Sequence, residues 1–421
     1  MKVTFKRFCL YTFTFFIFIL VAFCCFLLYE TKDEIHANSD NVDEIFQKIY
    51  DGDRMAGFAV SIFTPDSVLF MNGYGYRDVR QKLPFTAKTQ QYLASISKTI
   101  VGVSILQANQ LGLIDLDQEI EEILPYDIRN PSFPDHSITI RQLATHTSSL
   151  EYNEEFVESL YIQDDLKSES LGDVLDSYFE KKKFGEVAFI ESKPGSTYNY
   201  SNIGIGLLAY IIELTSGMTF REFSKRHVFD QVGLKDVDWY IDDAINPQAK
   251  YYSLNENVLT EVDSMGVQLY PCRDLNANIE ELTHLCQNFM GYNEKLMSDL
   301  SFQEMFRPQL SNSIQNLEDD NVGIIWQIDS NQYGNYYRLT GHSGSDTGIN
   351  SMMYFDPKIQ LGYIFIGNTG QSEQNRVHHI LAFKTLLSFG NHFKKENASS
   401  FGEKAKFIMY NYYSRIRAFF M

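Results

Sequence analysis

The sequence predicts an α/β protein in which one sheet, assembled from the two ends of the chain and flanked by helices, packs beside a mostly helical subdomain. Three observations carry this. Strand-like segments occur near residue 60 and again between 335 and 367, while the intervening chain repeats its apolar residues at helical spacing. With 421 residues, 44% of them hydrophobic, there is ample material for a large core. No low-complexity tract or internal repeat interrupts it.

Taken in order, residues 1–7 hold Lys2, Lys6 and Arg7, and the 22 residues from Phe8 to Tyr29 carry no charge. As a helix this run spans about 33 Å, enough to cross a bilayer core of about 30 Å. Basic residues before it and Glu30, Asp33 and Glu34 after it place the N-terminus in the cytoplasm and the body outside. The alternative is a cleaved signal peptide, but the run is long and bulky and no small-x-small site precedes Glu30. An uncleaved single-pass anchor in the cell membrane is therefore expected, followed by a polar linker over 30–42.

The body is expected at 43–388. A short helix near Asp43–Tyr50 precedes strands at Gly57–Phe63 and Ser67–Gly75, joined by the turn Thr64-Pro65-Asp66. A strongly apolar helix follows from Ser95 to Leu111, ended by Gly112. Two further helices are read at IGIGLLAYIIELTSG and NIEELTHLCQNFM. Strands are expected at Asn335–Thr340, Ile349–Phe355 and Leu361–Gly367, then a last helix over Ser372–Leu387. A basic, aromatic tail occupies 389–421; it either docks on its own domain or lies in a membrane interface. A cleft between sheet and helical insert is the natural ligand site.

Charge narrows the partners. Net charge is −18, and residues 30–403 hold 29 basic against 54 acidic side chains, or −25. A body so acidic repels phosphate backbones, so nucleic acid is not expected as a partner. Three of the five cysteines, Cys9, Cys24 and Cys25, fall in the anchor; Cys272 and Cys286 remain for the body, either as buried free thiols or as a pair. No Cys/His cluster has metal-ligand spacing and no glycine-rich phosphate loop occurs, so neither metal nor cofactor is expected.

Three short motifs carry chemistry. Ser95-Ile96-Ser97-Lys98 opens the apolar helix, and three residues place Lys98 one turn above Ser95 on the same face. A serine hydroxyl needs a base to become a nucleophile, and an amine withdrawn from water can be that base. The helix N-terminus favours negative charge developing beside Ser95. Tyr200-Ser201-Asn202 sets a phenol able to shuttle a proton beside an amide able to orient a carbonyl. His342-Ser343-Gly344-Ser345 follows a strand: His342 offers a donor or positive charge titrating near neutrality, Gly344 lets a substrate come close, and the Ser345 N–H can face an oxyanion.

These motifs, in this order, resemble the serine β-lactamase and penicillin-binding superfamily. Tyr-x-Asn in second place is similar to the class C β-lactamase branch with its D,D-peptidases and esterases. Ile138-Thr-Ile-Arg-Gln-Leu-Ala-Thr-His-Thr-Ser-Ser-Leu150 and the run Pro194 to Trp239 resemble that branch as well.

The resemblance implies a β-lactamase/transpeptidase-like fold with an antiparallel sheet, and a serine hydrolase working through an acyl-enzyme. Ser95 would attack, Lys98 and Tyr200 would move the proton, and Asn202 would align the substrate. The N–H groups of Ser95 and Ser345 would form the oxyanion hole. His342 replaces the lysine usual in class C β-lactamases, and Ser149 stands where glycine is usual. Cys272-Arg273-Asp274 replaces small residues at the cleft rim. His146 reads as a structural hydrogen-bonder. Amides, peptides or esters, among them cell-wall peptides, are the expected substrates; a penicillin-binding sensor or scaffold with little turnover is the alternative. No Gly-x-Ser-x-Gly elbow points to an α/β-hydrolase.

Overall fold

The computed structural model describes residues 35 and 37–397, apart from 51, 152–153, 164–169, 180–187, 241–246, 264, 312, 317–320 and 331–338. Residues 1–7, the expected anchor at 8–29, linker residues 30–34 and 36, and the tail from 398 onward lie outside the described residues. Among those described, no single helix is long and apolar enough to cross a membrane.

The sheet is antiparallel and has eight strands. They are β1 (Gly57–Thr64), β2 (Ser67–Asp78), β3 (Leu83–Pro84), β4 (Asn321–Val322), β5 (Gln327–Ser330), β6 (Leu339–Asp346), β7 (Ile349–Asp356) and β8 (Leu361–Gly367). The order β4-β5-β6-β7-β8-β1-β2-β3 joins the two ends of the chain where β1 lies on β8, in a register running from Phe58 opposite Gly367 to Phe63 opposite Gly362. Both neighbours are buried along almost their whole length. Their near-continuous apolar sequences follow from that, since both faces of the sheet are covered.

Alternation along β1 separates the two layers. Phe58, Val60 and Ile62 face helices α1 (Val42–Ile49) and α5 (Arg376–Asn397), which contribute Val42, Phe46, Phe383 and Leu386 to one core. Ala59 and Phe63 join the larger core of the helical insert. That insert is built around α2 (Ser97–Gln110), α3 (Asn202–Ser216) and α4 (Ile279–Met290). In α2 every residue from Ser97 to Ala108 is buried, so the helix is surrounded by protein rather than amphipathic. Gly112 follows its end with φ +73°, the left-handed conformation expected of a helix stop.

Two boundaries differ from expectation. The strand placed at Asn335–Thr340 is Leu339–Asp346, so the whole His-Ser-Gly-Ser motif lies within β6 rather than after a strand; residues 335–338 lie outside the described residues. Its small polar residues read as a loop, yet pairing with β7 from Thr340↔Phe355 to Asp346↔Ile349 holds them extended. The last helix begins at Arg376, not Ser372, because the Asn375 side chain binds the Ser372 N–H and the Gly370 carbonyl at 2.8 and 2.9 Å. It also runs past residue 388 into the segment read as tail from 389, since Phe389 and Phe393 still pack on the core beside α1. A hairpin at Tyr251–Asn255 and Val258–Val262 was not foreseen. Its turn residues Glu256 and Asn257 take φ +50° and +62° without the glycine that marks such turns in a sequence.

Candidate active site

The short strand Gln91–Tyr92 leads into a single turn, Ala94–Ile96, that carries Ser95 into α2. Three flanking groups hold this turn. The Leu93 N–H donates to the Leu275 carbonyl at 2.9 Å, the Leu93 carbonyl accepts from Ser351 Oγ at 2.7 Å, and Ser97 Oγ accepts from the Leu275 N–H at 2.9 Å. Ala94 sits at φ +48°, a conformation costing a non-glycine residue about 1–2 kcal/mol. Such strain persists only where its surroundings over-determine it, as they do here.

Lys98 is 1% exposed, with Nζ donating to Ser95 Oγ at 2.9 Å and to the Cys272 carbonyl at 2.6 Å. The same Nζ lies 5.2 Å from the centre of the Tyr200 ring. Among the described residues it forms no ion pair. Two acceptors and an aromatic face thus hold Nζ against the serine oxygen.

Tyr200 is placed by a zipper between two loops. The Asn199 N–H donates to the His146 carbonyl at 2.8 Å, the Ser201 N–H to His146 Nδ1 at 3.2 Å, and Asn199 Nδ2 to the Leu150 carbonyl at 2.7 Å. The His146 ring lies 4.5 Å from that of Tyr200. Burial first, then the charges of Lys98 and His342, push the His146 pKa down to about 3, so the imidazole is neutral and accepts at Nδ1. His146 is therefore the structural hydrogen-bonder expected. Asn202 opens α3 behind its cap, Ser201, whose Oγ accepts from the Gly204 N–H at 3.1 Å. The Asn202 Oδ1 is buried without a hydrogen-bond partner, and its residue lines the cleft.

The third motif lies on an open strand edge. Strand β5 pairs with β6 only at Ser330↔Leu339 and Gln327↔Gly341, so among the described pairings nothing covers His342 to Asp346 on that side. Gly344 faces the Ser95 turn: a methyl group on it would stand 2.4 Å from the Leu93 oxygen and 2.8 Å from the Ser95 nitrogen. The glycine therefore makes room for the nucleophile's own backbone, where the sequence suggested room for substrate. His342 is 4% exposed and its Nδ1 is 2.6 Å from the Ser343 carbonyl. Burial and the nearby Lys98 charge push its pKa down to about 4 against that hydrogen bond. The positive charge near neutrality read from the sequence is thus corrected: a buried imidazole beside an ammonium stays neutral.

A cleft of about 240 Å³ opens over Ser95, lined also by Lys98, Asn202, Ser345, Arg273 and Asp346. Tyr200, His342 and Gly344 are not among its lining residues. Sequence reasoning set Cys272-Arg273-Asp274 at the cleft rim but missed Asp346 and Tyr161, which complete the cleft's far wall. There Arg273 Nη1 donates to Asp274 Oδ1 at 2.8 Å and to the Met265 carbonyl at 2.7 Å, while Nε is paired with Asp346. Tyr161 donates its hydroxyl to both Asp346 oxygens, at 3.1 and 2.9 Å. Burial opposes the Arg273 charge, but the two carboxylates outweigh it and hold the guanidinium protonated. The unusual Cys272-Arg273-Asp274 and the acid next to Ser345 were the available signals; Tyr161 had none. Cys272 and Cys286 are both buried and unpaired.

A family model described as Beta-lactamase matches residues 42–386. The chain is 24% identical over 320 residues to a penicillin-binding protein of Bacillus subtilis (strain 168), covering 70% of this chain and 65% of that one. It is 22% identical over 359 residues to a beta-lactamase of Providencia stuartii, covering 78% and 86%. The structure of the octameric penicillin-binding protein homologue from Pyrococcus abyssi superposes with a TM-score of 0.68 at 18% identity, over 86% of this chain and 82% of that chain. The chain thus spans somewhat less than two thirds of the length of the Bacillus subtilis relative.

Proposed function

Because the chain belongs to the beta-lactamase family of serine hydrolases, we propose that it acts through an acyl-enzyme on Ser95. Its substrates are amides, peptides or esters outside the cytoplasm, and residues 8–29 hold it to the membrane. The observation that carries this reading is the Lys98 Nζ contact to Ser95 Oγ, 2.9 Å, made by an amine that is almost fully buried.

Ser95 Oγ forms a bond to the substrate carbonyl carbon as its proton passes to the free-amine form of Lys98, and Tyr200 relays it to the leaving nitrogen or oxygen. The bond to that nitrogen or oxygen then breaks, and the leaving group departs protonated. Water attacks the acyl carbon, gives a proton back through the same pair, and releases the acid and free Ser95. The Asn202 amide, whose oxygen lacks a protein partner, orients the substrate. The N–H groups of Ser95 and Ser345 serve the oxyanion.

A panel of nitrocefin, D-Ala-D-Ala peptides and p-nitrophenyl esters tests this on the full chain in detergent, beside Ser95→Ala. Turnover that disappears in the variant supports it. Labelling by a fluorescent penicillin without release over hours would instead make the protein a sensor. For the tether, salt-resistant partition with membranes is expected, and release by high salt would overturn it.

A further inference from the structure

Among the described residues, the charged ones lining the cleft are Lys98, Arg273 and Asp346, and none offers a free positive charge. Lys98 is committed to Ser95 Oγ and the Cys272 carbonyl. Arg273 is 7% exposed, bonded to Asp346, Asp274 and the Met265 carbonyl, and lies over the rings of Tyr92 and Tyr161 at 5.5 and 5.4 Å. Asp274 is fully buried and spends its second oxygen on the Val267 N–H at 2.7 Å. Among the described residues one guanidinium thus faces two carboxylates, an excess of one negative charge in this wall, with Asp346 on the cleft side next to Ser345. His342, the other basic group near the strand edge, does not line the cleft and has Nδ1 engaged by its neighbour's carbonyl.

Resting on Ser95 as the nucleophile, we propose that the Arg273–Asp346 pair makes this chain a hydrolase of substrates whose leaving group carries no carboxylate. Asp346 occupies the guanidinium edge that an anionic leaving group would need, and repels such a group in a poorly hydrated wall. Tyr161 and Arg273 fix the carboxylate in place, so it cannot swing aside cheaply. The pair acts by exclusion rather than by attraction.

The test compares two thioesters, benzoylglycyl thioglycolate and its methyl ester, which differ by one negative charge. Each rate is divided by its hydroxide-catalysed rate to remove intrinsic reactivity. The full chain should hydrolyse the methyl ester with a kcat/KM about tenfold or more above the acid. Asp346→Asn should narrow the gap between the two substrates to about threefold. Asp346→Ser should narrow it likewise, which decides the matter if Asp346→Asn does not fold. Equal rates in the wild type, a preference for the acid, or an equal effect of Asp346→Asn on both substrates would each overturn the inference and leave the nucleophile standing. No turnover of either thioester above Ser95→Ala would overturn both.

Discussion

Gly344 lies backbone to backbone with Ser95: a methyl group in place of its α-hydrogen would come within 2.8 Å of the Ser95 nitrogen. The open strand edge and the nucleophile turn are thereby held at a fixed separation, and the Ser351 hydroxyl ties both through the Leu93 and Gly344 carbonyls at 2.7 and 3.3 Å. Gly344→Ala should push the turn away. The expected cost is about 1–3 kcal/mol of stability, as for other overpacked sites, and at least about a hundredfold in kcat/KM because misplacement by an ångström suffices. Thermal unfolding and ester hydrolysis measure the two, and full activity would mean that the contact relaxes without moving Ser95.

Ser95→Ala is expected to abolish covalent labelling by a fluorophosphonate. Lys98→Ala should lose nearly as much activity, about a thousandfold or more, since residues that act as one proton-transfer unit are not additive. Persistent labelling of Ser95→Ala at another serine would sink the assignment.

Stability should fall with acid from a pH near 6.5. Burial first, and then Lys98, depress the His342 pKa to about 4. Below about 6.5 the unfolded chain therefore takes up a proton that the folded chain refuses. Stability is whole above that value and is lost as pH falls toward 4, by about 3 kcal/mol from this residue. His146 and His379, both pushed down to about 3 with burial as the first cause, act in the same direction. Denaturant unfolding across this range should show a shallower acid slope in His342→Gln than in the wild type. Equal slopes would mean that the imidazole is solvated.

Activity should show no limb from His342 between about pH 6 and pH 8, because the group is neutral throughout that interval. If kcat/KM for a neutral ester changes its pH profile in this window in His342→Gln, the imidazole does titrate there.

Both thiols of the body should resist alkylation while the protein is folded. Burial pushes the Cys272 thiol up to about 11 and raises Cys286 further, so little thiolate exists at pH 8. Iodoacetamide should modify them only after denaturation, and a reductant should leave Tm unchanged. A fall in Tm with dithiothreitol would reveal a disulfide.

Much of the architecture is legible in the sequence. The helices at 202–216 and 279–290 and the central pair β1 and β8 announce themselves by apolar runs of the right length, because burial of local segments leaves a periodic trace. The hairpin at 251–262 left none, since its turn uses Glu256 and Asn257 and its second strand is largely exposed. The strand carrying His342 was misplaced because glycine and serine lower local strand propensity, while the pairing that overrides it comes from β7.

Within the site, the sequence by itself determined the reacting groups. Ser95 and Lys98 are three residues apart on one turn, and Tyr200 and Asn202 share one loop, so their proximity is a matter of local geometry. Tertiary structure alone decided what those groups experience. Arg273 and Asp346 are 73 residues apart and meet because β6 and the loop after Leu269 pack against the same turn. His342 is a titratable residue by type, and only its burial near Lys98 makes it neutral. Gly344 is a permissive residue by type, and only the approach of Ser95 makes it obligatory. Residue identity sets which proton or charge a side chain can carry. The dielectric and the distances around it, which long-range packing creates, set whether it carries one.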